Sequence, residues 1–175
     1  MRSLAAFLLV AGVAACGGTE VRPPPSAPRT IELGWRESEG GFTVEVHRLV
    51  LHREGWSAEI AFSNRTGATL TIDWPHRPGR VKFGLVLTAG RERAELERTI
   101  VPGVGPPFEP APRFEPPLPR IVEPGTRRSG TMSGDRPLPR GRVVRVLLGR
   151  FIARQPLSSA LGSHFSWVTE HARRL

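Results

Sequence analysis

From Phe42 onward, apolar and polar residues alternate with period two, the mark of strands buried on one face. Phe42, Val44 and Val46 alternate with Thr43, Glu45 and His47. The parity breaks after Arg48, where Leu49, Val50 and Leu51 stand in a row, and a β-bulge there reconciles the two halves. Trp56, Ala58, Ile60 and Phe62 give the cleanest alternation and run into Asn64-Arg65-Thr66-Gly67, a turn by composition because Asn and Gly tolerate positive φ. Leu70, Ile72 and Trp74 alternate next and stop at Pro75; Val81, Phe83, Leu85 and Leu87 come after, ending at Ala89-Gly90-Arg91. Ala94, Leu96 and Ile100 make a weaker strand, residues 142–152 another, and Ile121-Val122 ahead of Pro124-Gly125 a seventh. Strands this closely spaced, without a convincing helix among them, predict an all-β fold: an antiparallel β-sandwich of about seven strands across residues 31–155. Trp56 and Trp74 fall in phase with their strands and are assigned to the core.

Two stretches depart from this rhythm. Residues 102–119 hold eight prolines in 18 positions, which no central strand tolerates. This insert carries Phe108 and Phe114 in two Phe-Glu-Pro repeats. Long loops on rigid scaffolds often bind, so both rings are candidate partner contacts; the alternative is that they fold back over the sandwich edge. In the tail, residues 156–175, Leu157, Leu161, Phe165 and Val168 recur at helical spacing behind Ser158 and Ser159, which predicts a short C-terminal helix.

The first 16 residues form a third pattern. Arg2, an apolar run from Leu4 to Val13, small residues and the single cysteine have the layout of a secretory signal. The run of 12 residues from Leu4 to Ala15 falls short of the roughly 20 that a spanning helix needs. Val13-Ala14-Ala15-Cys16 resembles the lipobox of bacterial lipoproteins. That resemblance implies cleavage before Cys16, lipidation of its thiol and, commonly, acylation of the new amino terminus with a chain such as palmitate. Two or more acyl chains anchor stably where one does not. The competing reading is an ordinary secretory signal with a coincidental Cys. Against it, a lone Cys has no pairing partner within the chain in an oxidising compartment. Gly17 stands where Asp would resemble an inner-membrane retention signal. The expected location is therefore the outer membrane of a diderm cell, or otherwise the outer face of the cytoplasmic membrane. Residues 1–15 are read as the signal peptide. Residues 16–30, with Pro23, Pro24, Pro25 and Pro28, form an extended tether that lifts a domain off the surface.

Composition adds limits. Gly and Pro number 19 and 18, against a helical bundle. The chain carries +9 formal charge, yet of its 25 Lys and Arg residues only Lys82 is lysine. Such an Arg bias reflects codon content as readily as function, so no nucleic-acid partner is assigned. A basic exported surface suits an anionic envelope polymer or lipid, though a solvated Arg-rich surface without a dedicated partner explains it as well.

The order of turns and strands resembles exported bacterial immunoglobulin-like domains, often lipoproteins. The elements that carry it are residues 59–67 with their Asn-Arg-Thr-Gly turn, Phe83 through Gly90, and Glu123-Pro124-Gly125-Thr126. It implies an immunoglobulin-like sandwich and an exported compartment, and brings no catalytic or binding residue with it. The proline-rich insert and the tail depart from that pattern.

Catalytic chemistry is thinly represented. His47, His52, His76, His164 and His171 show no metal-ligand spacing, and beyond the signal peptide the only methionine is Met132. A helical tail would put His164 and His171 on one face. No Gly-x-Ser-x-Gly elbow or glycine-rich phosphate loop occurs, and Asp73 and Asp135 are the only aspartates. No catalytic, cofactor or metal residue is assigned. The expected function is a non-enzymatic interaction module, held to the membrane by its lipid and facing an envelope protein or anionic envelope polymer. The alternatives are a structural accessory subunit of an envelope complex and, further off, an envelope hydrolase or metal carrier.

Overall fold

A computed structural model of the chain describes residues 27–72, 83–90, 108–158 and 161–175. The signal peptide, Cys16, most of the tether, Trp74, Val81, the strand around Ala94, Leu96 and Ile100, His76 and residues 102–107 of the insert lie outside the described residues.

Among the described residues twelve strands succeed one another, with no helix. They are β1 (Arg29–Glu39), β2 (Phe42–Leu51), β3 (Trp56–Asn64), β4 (Leu70–Ile72), β5 (Gly84–Thr88), β6 (Phe108–Pro110), β7 (Arg113–Glu115), β8 (Ile121–Val122), β9 (Arg127–Gly134), β10 (Val143–Ile152), β11 (His164–Val168) and β12 (Arg173–Arg174). They build two antiparallel sheets, a β-sandwich. One sheet runs β1-β2-β3-β9-β7. The other runs β6-β5-β10-β4-β8, with β11 and β12 also on β10. Phe151 and Ile152 pair with both β4 and β11, and Val143 and Val144 with both β5 and β12. Strand β10 is therefore flanked along its length, by β5 and β4 on one side and by β12 and β11 on the other.

Aromatic rings join the sheets. Phe42 from β2 meets Phe151 at 4.7 Å, Phe165 at 5.2 Å and Trp167 at 5.8 Å between centroids, and Phe62 from β3 meets Phe151 at 5.6 Å. Full burial of each such side chain is worth roughly 1.5–3 kcal/mol. Trp56, Val44, Val46, Ile60, Leu85 and Leu148 extend the same core.

The parity break in β2 is a bulge. Register shifts between Val46 and Arg48 against β3, leaving His47 as the extra residue. Opposite the same point, Leu33 and Gly34 of β1 face His47, and Gly34 holds φ of 61°.

The predicted C-terminal helix is absent. Residues 164–168 are strand β11, and β12 closes the chain against β10. Gly162-Ser163 interrupts the helical spacing. Beyond it the burial alternates instead: Phe165 is half-buried, Ser166 exposed, Trp167 buried, Val168 half-buried and Thr169 buried. His164 and His171 consequently share no helix face. Strand β1 is also absent from the predicted set, and it takes in Arg29 and Thr30, which composition places in the tether. Strand β9 escapes prediction because its sequence, RRSGTMSG, shows no apolar alternation. Its core-facing row, set by pairing with Phe62, Ile60, Ala58 and Trp56, is Arg128, Gly130, Met132 and Gly134. Added Cβ atoms would meet Phe114 Cε1 at 2.4 Å from Gly130 and Trp56 Nε1 at 2.5 Å from Gly134. Neighbouring rings thus fill the places where β9 has no side chains.

Candidate interaction cleft

The insert joins the sandwich through two edge strands, β6 on β5 and β7 on β9. Phe114 pairs with Met132 and is 5 % exposed within the core. Phe108 is half-buried on β6. Of the two candidate contacts, then, Phe114 is a core residue and Phe108 retains some exposure.

Just beyond Phe114 the chain leaves β9. Strand β7 pairs only with Thr131, Met132 and Ser133, whereas β3 pairs with β9 along Arg127–Gly134. Which groups are left open depends on the ladder. The Asn64 amide donates to the Thr126 carbonyl at 2.9 Å. Alternation along an antiparallel strand then turns the backbone groups of Arg128 and Gly130 toward β3, and those of Arg127 and Ser129 away from it. Had β7 continued in register, Pro117 would face Ser129 and Pro119 would face Arg127. Neither proline has an N–H to donate. The chain's own continuation is thus chemically unable to complete the ladder. Among the described residues no strand pairs with β9 at 127–130 on that side.

A cleft opens at this point. It has a volume of about 380 Å³ and is lined by Phe114, Pro116, Pro117, Leu118, Pro119, Arg127, Arg128 and Ser129. Arg127 donates to Glu45 Oε2 at 2.7 Å on the outer face, where Arg36 and His47 also approach Glu45. The hydrogen bond from Arg127, with the charges of Arg127, Arg36 and His47, holds the Glu45 carboxyl below its ordinary range against the opposing effect of burial. Arg128 is exposed and makes no ion pair among the described residues. Among the described residues, the cleft therefore has an apolar proline wall, one cation without an acidic partner and a short length of uncovered ladder.

The corner above it is pinned by Asn64, which is fully buried. Its side-chain amide donates to Ala68 O at 2.8 Å and Val122 O at 3.0 Å; its Oδ1 accepts from the Thr66 amide and hydroxyl. Its backbone carbonyl accepts from Gly125 N at 2.7 Å. The Asn-Arg-Thr-Gly turn and the Pro124-Gly125 turn, far apart in sequence, thus meet at one residue that sets the start of β9.

At the opposite edge of the same sheet, β1 is tied to the tail through a side chain. Glu37 of β1 pairs with Val44, so its side chain points inward, and it is 8 % exposed. It accepts from Trp167 Nε1 at 3.0 Å, from the His171 amide at 2.8 Å and from His171 Nδ1 at 2.7 Å. The Trp35 and His171 rings stack beside it at 5.9 Å. Burial pushes the Glu37 carboxyl up, but the hydrogen bonds from His171, Glu170 and Trp167 outweigh it and hold the group below its ordinary value. This clasp ties the tail of one sheet to the edge strand of the other. No sequence pattern signals it, because a Glu amid exposed residues looks like any surface charge.

Among the described residues no group of three or more His, Cys, Asp or Glu is placed to hold a metal ion, and no helix is long and apolar enough to cross a membrane. His47 sits in the bulge near Glu45, and His52 contacts Ser57 at 3.2 Å. No protein-family model, curated protein or solved structure matches the chain.

Proposed function

We propose that this chain is a lipid-anchored envelope protein whose β-sandwich serves as a non-enzymatic interaction module. The observation that carries this reading is the cleft at the open end of β9, where a proline wall, Arg128 and backbone groups of β9, both without partners among the described residues, converge on the sheet. The anchor is read from Val13-Ala14-Ala15-Cys16, with lipid on the Cys16 thiol and residues 16–30 as the spacer. The immunoglobulin-like character rests on the turns that meet at Asn64.

Two measurements test the parts separately. Metabolic labelling with a palmitate analogue should mark the wild-type chain and leave Cys16→Ala unlabelled; equal labelling of both would remove the anchor. Affinity purification of the full chain from envelopes should recover a partner that Arg128→Glu loses. Recovery of nothing above background, together with no binding of wall or lipid polymer, would remove the interaction module.

A further inference from the structure

We infer that the cleft receives an extended acidic segment of a partner protein, which adds to the sheet as a strand beside Arg127 and Ser129. The inference rests on the interaction-module reading and narrows it to a class of partner and a mode of binding.

Three observations favour an extended polypeptide. First, the backbone groups of Arg127 and Ser129 face the uncovered side of β9, and each supplies one donor and one acceptor. An added strand uses both kinds of group, which is the general basis of recognition by strand addition. A phosphate or lipid headgroup has use for the amides alone. Second, Pro117 and Pro119 stand where the ladder would continue, so β7 does not close this edge, and among the described residues no other strand does. The prolines line the cleft instead and offer apolar surface to side chains on one face of an incoming strand. Third, the charge is complementary. Arg128 lines the cleft without an acidic partner among the described residues, and Glu115 lies in the outward-facing row with Glu59 and Thr131. The chain as a whole carries +9, which favours acidic partners at encounter. A volume of about 380 Å³ lies within the roughly 300–1,000 Å³ typical of ligand sites.

The test uses the full chain in detergent and fluorescein-labelled eight-residue peptides that alternate glutamate with apolar residues. Controls are the lysine counterparts, the same acidic peptides with N-methylated backbones, and inorganic polyphosphate. Saturable binding of acidic peptides is expected, falling at least tenfold on N-methylation, with Ser129→Pro and with Arg128→Glu. Ser129→Pro removes an amide that faces the open edge, so the β3 ladder stays intact; Arg128→Glu keeps the question open to refutation should the proline variant fold poorly. Equal binding of methylated and unmethylated peptides, tighter binding of polyphosphate than of any peptide, or no preference for acidic over basic peptides would each overturn the inference. If acidic peptides fail while the envelope partner is still recovered with wild type, strand addition is wrong and the interaction module stands. If both fail, the broader reading falls as well.

Discussion

The two edges of the five-stranded sheet meet the same physical problem and answer it differently. An edge strand exposes unpaired amides and carbonyls that invite another chain. At β1, which has no partner strand on its outer side among the described residues, the edge is blunted rather than covered: Gly34 introduces a bulge, and the inward-pointing Glu37 is gripped by Trp167 and His171 of the tail. At β9 the answer is incomplete by construction. Strand β7 covers three residues and then meets Pro116 and Pro117, leaving a cleft rather than a seal. Inward charge and a bulge are devices against association, whereas a ladder uncovered among the described residues, beside the exposed Arg128, is suited to it.

The sharpest way to break this contrast is at Asn64. Asn64→Ala leaves the Val122 carbonyl buried without its donor and frees the turn that starts β9. A loss of about 3 kcal/mol is expected in chemical denaturation. A loss below 1 kcal/mol would mean that the corner is held by something else. Gly130→Ala comes next. Its Cβ would meet Phe114 Cε1 at 2.4 Å and the Glu115 carbonyl oxygen at 2.6 Å, so β7 must shift, at about 1–3 kcal/mol. Unchanged stability would show that β7 is not packed as described.

At the β1 edge, Glu37→Ala strands the Trp167 indole and the His171 amide and should cost about 1–3 kcal/mol. The pH dependence sharpens this. The folded-state pKa of Glu37 lies below its ordinary value, so its contribution is present above the unfolded value of about 4.5. It is lost as pH falls through the lower folded value. Wild type should therefore lose more stability than Glu37→Gln between pH 6 and pH 3; parallel acid profiles would mean the clasp contributes nothing. The smallest effect belongs to the open edge. Arg128→Glu should change stability by no more than about 0.5 kcal/mol, because the side chain is exposed and has no ion pair among the described residues.

Much of the sandwich is legible where side chains carry the pattern. Phe42 to Val46 and Trp56 to Phe62 announce β2 and β3, and the run Leu49-Val50-Leu51 betrays the bulge at His47. Strand β9 is invisible in sequence because glycines on its core-facing row receive rings from β7 and β3. The tail misleads because Leu157, Leu161, Phe165 and Val168 satisfy helical spacing, while Phe165, Trp167 and Thr169 satisfy period two on β10. At the cleft, the prolines flag an exceptional segment, but its uncovered ladder depends on the register of β7 against β9. Deleting residues 108–116 would remove Phe114 from the core along with both short strands, so point substitutions at Arg128 and Ser129 are the cleaner probes.

Residue-resolved amide hydrogen exchange on the free protein tests the open edge most directly. The amides of Arg128 and Gly130, turned toward β3, should exchange slowly, and those of Arg127 and Ser129 rapidly. Equal protection of all four would contradict an uncovered β9.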